Sequence, residues 1–202
     1  IVINFIMTTN LTAEQIKENY DKFYKLATSS KGRSAQIKKF LDHFEERIAL
    51  CPASSRIQYH NAFPGGLVEH SLRVLKNAYS ISKIYNDDIS KESLIISALF
   101  HDIGKIGDFE NEYYLPQESS WHIERGMIYK HNEKIQYMTS SDRGLYLMQA
   151  FDIKLCADEW LSIKLNDGHE AEENRPYRMK EPTLAVIIHQ ADRAACQQEK
   201  VL

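Results

Sequence analysis

The sequence predicts an all-α fold, a compact single-domain helical bundle, and three observations predict it. Apolar residues recur at helical spacing, as in Ile37, Phe40, Leu41, Phe44 and Ile48. Helix breakers are few, with 8 glycines and 5 prolines in 202 residues. A hydrophobic share of 43% is enough for one real core.

The elements follow in chain order. Thr12-Ala13-Glu14-Gln15 fits a capping box and opens a helix to about Ala27. Ser29-Ser30-Lys31-Gly32 breaks it. A second helix carries the Ile37 to Ile48 stripe and ends at Cys51-Pro52. Arg56 to Gly66 is a loop closed by Pro64-Gly65-Gly66, and a third helix runs from about Leu67 to Tyr85. Asn86-Asp87-Asp88 is a turn, and Ser90 caps a fourth helix that contains Leu94–Phe100 and ends near Gly104. Residues 106–120 are mixed and polar, with Tyr113-Tyr114-Leu115 as a short strand. Helical patterns resume at His122–Lys134, Arg143–Phe151 and Ala157–Leu165. Asn166 to Glu181 is a long polar loop, and Pro182, suited to a first helical turn, opens a last helix through about Glu199.

Composition narrows the function. A formal net charge of −3 disfavours a nonspecific grip on nucleic acid. Cys51, Cys156 and Cys196 are odd in number and far apart, so they read as reduced thiols of a cytoplasmic protein. No apolar run approaches the ~20 residues a membrane span needs. The opening Ile1-Val2-Ile3-Asn4-Phe5-Ile6 is too short for a signal core and lacks a basic flank. Met7 reads as the natural start, with the residues before it as an extension.

The chemistry begins at His101-Asp102, which directly follow the apolar stretch Leu94–Phe100. A helix apolar all round is buried, and an imidazole beside a carboxylate is costly there unless paired or bound to a metal. On the last helix Asp192 shares a face with Ala185, Ile188, Ala195 and Cys196, opposite Gln190, Arg193, Gln197 and Lys200. His70 lies about a quarter-turn from the solvent stripe of the third helix, alongside Val74, Asn77 and Ile81. Three helices therefore direct imidazole or carboxylate groups inward. Two imidazoles and two carboxylates suit a divalent ion such as Mn, Fe, Co, Ni or Zn.

In their order and setting, His70, then His101-Asp102, then Asp192 resemble the HD superfamily of metal-dependent phosphohydrolases. Tyr59-His60-Asn61-Ala62-Phe63-Pro64-Gly65-Gly66-Leu67-Val68-Glu69-His70-Ser71 looks like the run-in to the first ligand, and His101-Asp102-Ile103-Gly104-Lys105 matches the form with Ile-Gly-Lys after the dyad. The resemblance covers roughly His60 to Glu199. It implies a helical bundle of the HD-domain type, with the four side chains on one divalent ion (Mn, Mg, Co, Fe, Ni or Zn). Two parts are then expected. Residues 1–55 form an N-terminal extension and two helices packing on the core, and 56–202 form the HD phosphohydrolase domain. The implied activity is hydrolysis of a phosphoester or phosphoanhydride. A bound divalent ion acidifies its water and neutralises phosphate oxygens, so no P-loop is required, and G-x-x-x-x-G-K-S/T is absent.

Lys105 is the leading candidate for a phosphate clamp and, with Asp102, for a catalytic role. His60 is a candidate proton donor or phosphate contact. Arg175, Tyr177, Arg178 and Lys180 are candidates for a lid over the substrate. His189 and Asp167 are candidates to support the ligands from behind. Two-metal members carry histidines in an Ile-x-x-His-His-Gly context, where this chain has Ile163-Lys164-Leu165-Asn166-Asp167-Gly168, with His169 out of register. One metal is therefore expected. His43 is expected at a helix surface, and His122, His131 and His169 in solvated positions.

The expected substrate is a nucleoside mono- or triphosphate. The alternative is a 3'-5' exonuclease or phosphodiesterase on RNA, single-stranded DNA or a cyclic nucleotide, which should show a basic groove. A non-catalytic regulatory module would carry a damaged ligand set. No membrane partner is expected, and a homo-oligomer is compatible with the sequence.

Overall fold

The computed structural model describes residues 11–85, 87–169 and 171–200. The opening stretch with Met7, Asn86 of the expected turn, Glu170 of the long loop and residues 201–202 lie outside them. The helices are α1 (Ala13–Ala27), α2 (Ser34–His43), α3 (Glu45–Leu50), α4 (Gly66–Ser82), α5 (Lys91–Phe100), α6 (Ser120–Ile123), α7 (Ser140–Ala150), α8 (Ala157–Lys164) and α9 (Thr183–Gln198). Single 3-10 turns lie at Ile103–Ile106 and Glu172–Tyr177, and β1 (Tyr114–Pro116) pairs antiparallel with β2 (Tyr129–His131). The all-α class predicted from the sequence holds. Among the described residues no helix is long and apolar enough to cross a membrane.

Local chemistry sets the helix starts. Thr12 and Gln15 form the reciprocal box, Thr12 Oγ1 accepting from Gln15 N at 3.2 Å and Gln15 Oε1 from Thr12 N at 2.8 Å. Ser90 caps α5 and Thr139 caps α7. Pro182, with no N–H to lose, sits just before α9.

The core centres on α4 and α5. Every residue of α5 from Leu94 to Phe100 is buried, as a helix apolar nearly all round requires, and its one polar side chain, Ser97, accepts from Ser162 Oγ at 2.6 Å. α4 packs on α9 and α5, and α8 closes over α5 and α9. The first three helices share this core, because Phe23 of α1 and Phe40 of α2 lie against Phe100 with ring centroids 6.0 and 5.9 Å away, and Ile48 of α3 is buried in the same cluster.

Two glycines permit close backbone approaches on which the site depends. A Cβ on Gly104 would sit 2.0 Å from Ser140 O and 2.6 Å from Gly144 N, so α7 packs on the Ile103–Ile106 turn only without it. A Cβ on Gly66 would lie 2.1 Å from Asn61 O, at the junction of the His60 loop with α4.

Three expected elements differ from the structure. The second helix divides at Phe44, whose φ of −108° ends α2 and begins α3. The bend keeps the buried Phe44 ring among Phe40, Phe109 and Phe151 while Ile48 still enters the core. The helix expected over His122–Lys134 stops at Ile123. Gly126 adopts φ +76°, and the next residues pair Tyr114 with His131, Leu115 with Lys130 and Pro116 with Tyr129. Strand pairing outweighed a weak helical pattern there. The long loop at 166–181 contains the 3-10 turn and a buried Asn174, whose Nδ2 donates to Gly168 O at 2.9 Å.

Candidate metal centre

The centre forms where three helices meet. His70 projects from the buried face of α4 and is fully buried. α5 ends at Phe100, so His101 caps it and Asp102 leaves the helix with φ −112°. Both side chains thereby enter the gap beside α4. Asp192, in the middle of α9, reaches the same gap with its side chain 13% exposed.

His70 Nε2 lies 3.0 Å from Asp192 Oδ1 and 3.9 Å from Asp102 Oδ2. His101 Nε2 lies 3.4 Å from Asp102 Oδ2, 3.8 Å from Asp192 Oδ1 and 3.3 Å from His70 Nε2. The structure thus brings together all four residues expected as metal ligands. Donor chemistry tests whether a cation fits. His70 Nδ1 donates to Glu199 Oε2 and His101 Nδ1 donates to Ala98 O, both at 2.8 Å. In the neutral tautomers each Nε2 then presents a lone pair, and two lone pairs face two carboxylates across a buried gap. Only positive charge relieves that arrangement, so the residues fit a divalent ion.

The electrostatics agree. Burial alone would lower the His70 pKa, but hydrogen bonds to Asp192 and Glu199 outweigh it and raise the value to about 9. Burial would raise Asp192, yet the His70 hydrogen bond and the His101 charge bring it down to about 2. Burial likewise opposes ionisation of Asp102, and the Lys105 ammonium holds it well below the usual carboxylate range. A proton on His70 thus stands where a cation would supply the same charge.

Sequence reasoning missed Glu199. Its side chain is 1% exposed, and besides orienting His70 it pairs with Arg73 Nε at 2.9 Å. The signal was available, because Glu199 falls two turns after Asp192 on one face of α9. Carboxylates that accept the remote N–H of a ligating histidine fix its tautomer and raise its basicity.

The other expected residues separate into two groups. Lys105 Nζ donates to Asp102 Oδ2 at 2.5 Å and to Ala53 O at 2.8 Å, so it stands at the centre already engaged twice. His60 lies against His70 in a tilted arrangement, with ring centroids 4.6 Å apart. Burial, then the Lys105 and His70 charges, press its pKa down to about 3. Asp167 keeps contact with solvent at the mouth of the centre. Crowding around its carboxyl, then the Asp102 charge, raise its pKa. His189 is not among the converging side chains. Its Nδ1 donates to Asn166 O at 2.7 Å, and Asn166 Oδ1 accepts from Ser141 Oγ at 3.0 Å. His189 therefore braces the segment at Asn166, between α8 and the 3-10 turn. Arg175 on the 3-10 turn and Arg178 just after it are exposed and make no ion pair or side-chain hydrogen bond among the described residues. His43, His131 and His169 are exposed, and His122 is half-buried with its Nδ1 on Ser119 Oγ.

Fold and site together define an all-α protein with a His/Asp centre able to hold a metal ion. The family model for the HD domain matches residues 67–195, more than half of the chain and all four converging residues. The chain belongs to the HD-domain family, the superfamily of metal-dependent phosphohydrolases. It is similar to ribonuclease Y from two strains of Ureaplasma parvum serovar 3, with 30% identity over 112 residues, 55% of this chain and 21% of each ribonuclease. It is also similar to the dihydroneopterin 2',3'-cyclic phosphate phosphodiesterase of Methanocaldococcus jannaschii, with 34% identity over 62 residues, 29% of this chain and 25% of that enzyme. The matched stretch is thus about a quarter or less of these curated relatives. No solved structure matches the chain.

Proposed function

We propose that this chain is a metal-dependent phosphohydrolase that cleaves a phosphoester or phosphoanhydride bond of a nucleotide, a nucleoside mono- or triphosphate. The observation that carries the reading is the convergence of His70, His101, Asp102 and Asp192 in one buried gap. These four would hold one divalent ion. When bound, the ion supplies the positive charge that acidifies water and neutralises phosphate oxygens. Asp102 holds its charge beside Lys105, whose third N–H is left for a phosphate oxygen. His60 stays neutral at physiological pH beside His70 and is the candidate proton donor or phosphate contact. Arg175 and Arg178 extend the cationic character toward the substrate's outer phosphates. The cytoplasmic setting rests on three unpaired thiols, and the two-part division at residue 55 is retained.

A second reading has its own support. All three relatives are named for phosphodiester substrates, an RNA in two and a cyclic phosphate in the third. A 3'-5' exonuclease or phosphodiesterase on RNA, single-stranded DNA or a cyclic nucleotide is therefore the alternative. One experiment separates the readings: metal analysis, then phosphate release from a nucleotide panel beside shortening of labelled oligonucleotides and opening of cyclic nucleotides. Release from mono- or triphosphates alone supports the first, and cleavage of diesters alone supports the second. Metal-free, inert protein would leave a non-catalytic regulatory module.

Three further outcomes are expected. Lys105→Ala should keep its metal by elemental analysis and lose about 10²-fold in kcat, the cost of one transition-state donor. An unchanged rate would reduce Lys105 to a prop for Asp102. Glu199→Gln should weaken divalent-ion affinity about 10–100-fold in a binding titration, because the neutral amide no longer raises the basicity of His70. Chelation should lower the melting temperature. An ion at about 100 times its dissociation constant stabilises by ~2.7 kcal/mol, which at this chain length is roughly 5–10 °C in a thermal scan.

A further inference from the structure

Another group of ligand-type side chains lies on the His60 side of the centre. Cys196 follows Asp192 by one turn on α9, with Sγ 3.5 Å from Asp192 Oδ1. His60 brings Nδ1 within 3.7 Å of that sulfur, while its Nε2 is buried with no hydrogen-bond partner. His60, His70 and Cys196 each offer a ligand atom within 4.8 Å of the others, as do His70, His101 and Asp192. His70 belongs to both groups. Its Nδ1 donates to Glu199, so one lone pair remains, and one lone pair serves one ion at a time.

We propose that His60, His70 and Cys196 form a second cradle, overlapping the first, for a thiophilic divalent cation. Occupation of this cradle excludes an ion from the His70–His101–Asp102–Asp192 centre. The two donor sets differ in softness. The first offers imidazole and carboxylate, which suit Mn²⁺, while the second offers imidazole and thiol, which suit Zn²⁺ or Cd²⁺. Binding breaks the Cys196 S–H bond, forms an S–metal bond and releases the proton to solvent, with no change of oxidation state. The inference rests on a shared histidine and not on any hydrolytic activity. Its test therefore reads binding alone.

The test is a Cd²⁺ titration of the full chain preloaded with Mn²⁺. The near-ultraviolet band of a cadmium thiolate is followed, with free Mn²⁺ measured by electron paramagnetic resonance. The expected result is a band that saturates at one Cd²⁺ per chain while an equal amount of Mn²⁺ is released. In Cd²⁺-saturated protein, iodoacetamide mapping should find Cys196 protected and the exposed Cys156 modified. Cys196→Ser should abolish the band, weaken Cd²⁺ at least tenfold and leave Mn²⁺ binding in place. Three results overturn the proposal: a band that survives in Cys196→Ser, an unprotected Cys196 in the loaded protein, or Cd²⁺ and Mn²⁺ bound together. Should the variant fail to fold, the mapping and the Mn²⁺ release on the unaltered chain decide the matter. A chain that binds Cd²⁺ as expected yet releases no phosphate would sink the hydrolase reading and leave this one standing.

Discussion

Asp102→Ala is expected to abolish metal retention and to lower phosphate release by at least about 10³-fold. Asp102 faces His70, His101 and Lys105 at once. Its loss removes one of two carboxylate charges from a buried site and leaves the Lys105 ammonium without its partner. An unpaired cation beside the ion's position repels any divalent metal, so the variant loses affinity through repulsion as well as through a missing ligand. Metal-ion catalysis contributes several kcal/mol, and about 4 kcal/mol corresponds to ~10³ in rate. The check is elemental analysis of the purified variant, with turnover measured in excess Mn²⁺. Full turnover under those conditions would show that the centre has been misassigned.

Arg33→Ala is expected to cost about 3–5 kcal/mol in stability without removing any group of the centre. Arg33 binds both oxygens of Glu159, at 2.6 and 2.7 Å, and also donates to Lys154 O and Ser30 Oγ. The Glu159 side chain is only 3% exposed. Removing the guanidinium strands a buried carboxylate, which is the costly way to break such a pair. A drop of roughly 10 °C in melting temperature follows for a chain of this size. The pH dependence is specific. Burial would raise the Glu159 pKa, but the Arg33 hydrogen bonds outweigh it and hold the group below its ordinary 4.5. Its stabilising contribution is therefore present above about pH 4.5 and is lost as pH falls through the depressed folded value. The stability gap between native and variant should close in acid, as measured by denaturant titrations at neutral pH and below pH 4.5. A constant gap would mean that Arg33 acts by packing alone.

Much of this was legible along the chain because it depends on short-range periodicity. The faces of α4 and α9 follow from residues three and four apart, so His70 and Asp192 declared themselves as buried. So did His101-Asp102, stranded at the end of an apolar run. What escaped depends on partners distant in sequence. Arg33 and Glu159 meet across the fold, as do His60 and Cys196, and neither pair has a local signature. β2 escaped because Tyr129–His131 has no apolar alternation of its own. Its strand character comes from Tyr114–Pro116 and from the left-handed turn at Gly126. Glu199 was passed over despite its spacing from Asp192, because a carboxylate at a helix end is ordinarily solvated.

The rings of Phe23 and Phe40 against Phe100 bear on how the molecule comes apart. Phe100 immediately precedes His101, so the wall that keeps the dyad's helix in place is built by the first helices of the chain. Loosening of that N-terminal arm would remove the packing behind the helix that carries the dyad. Residues of that arm and of the helices around the centre belong to one core cluster, so hydrogen exchange should find them opening together as one cooperative unit.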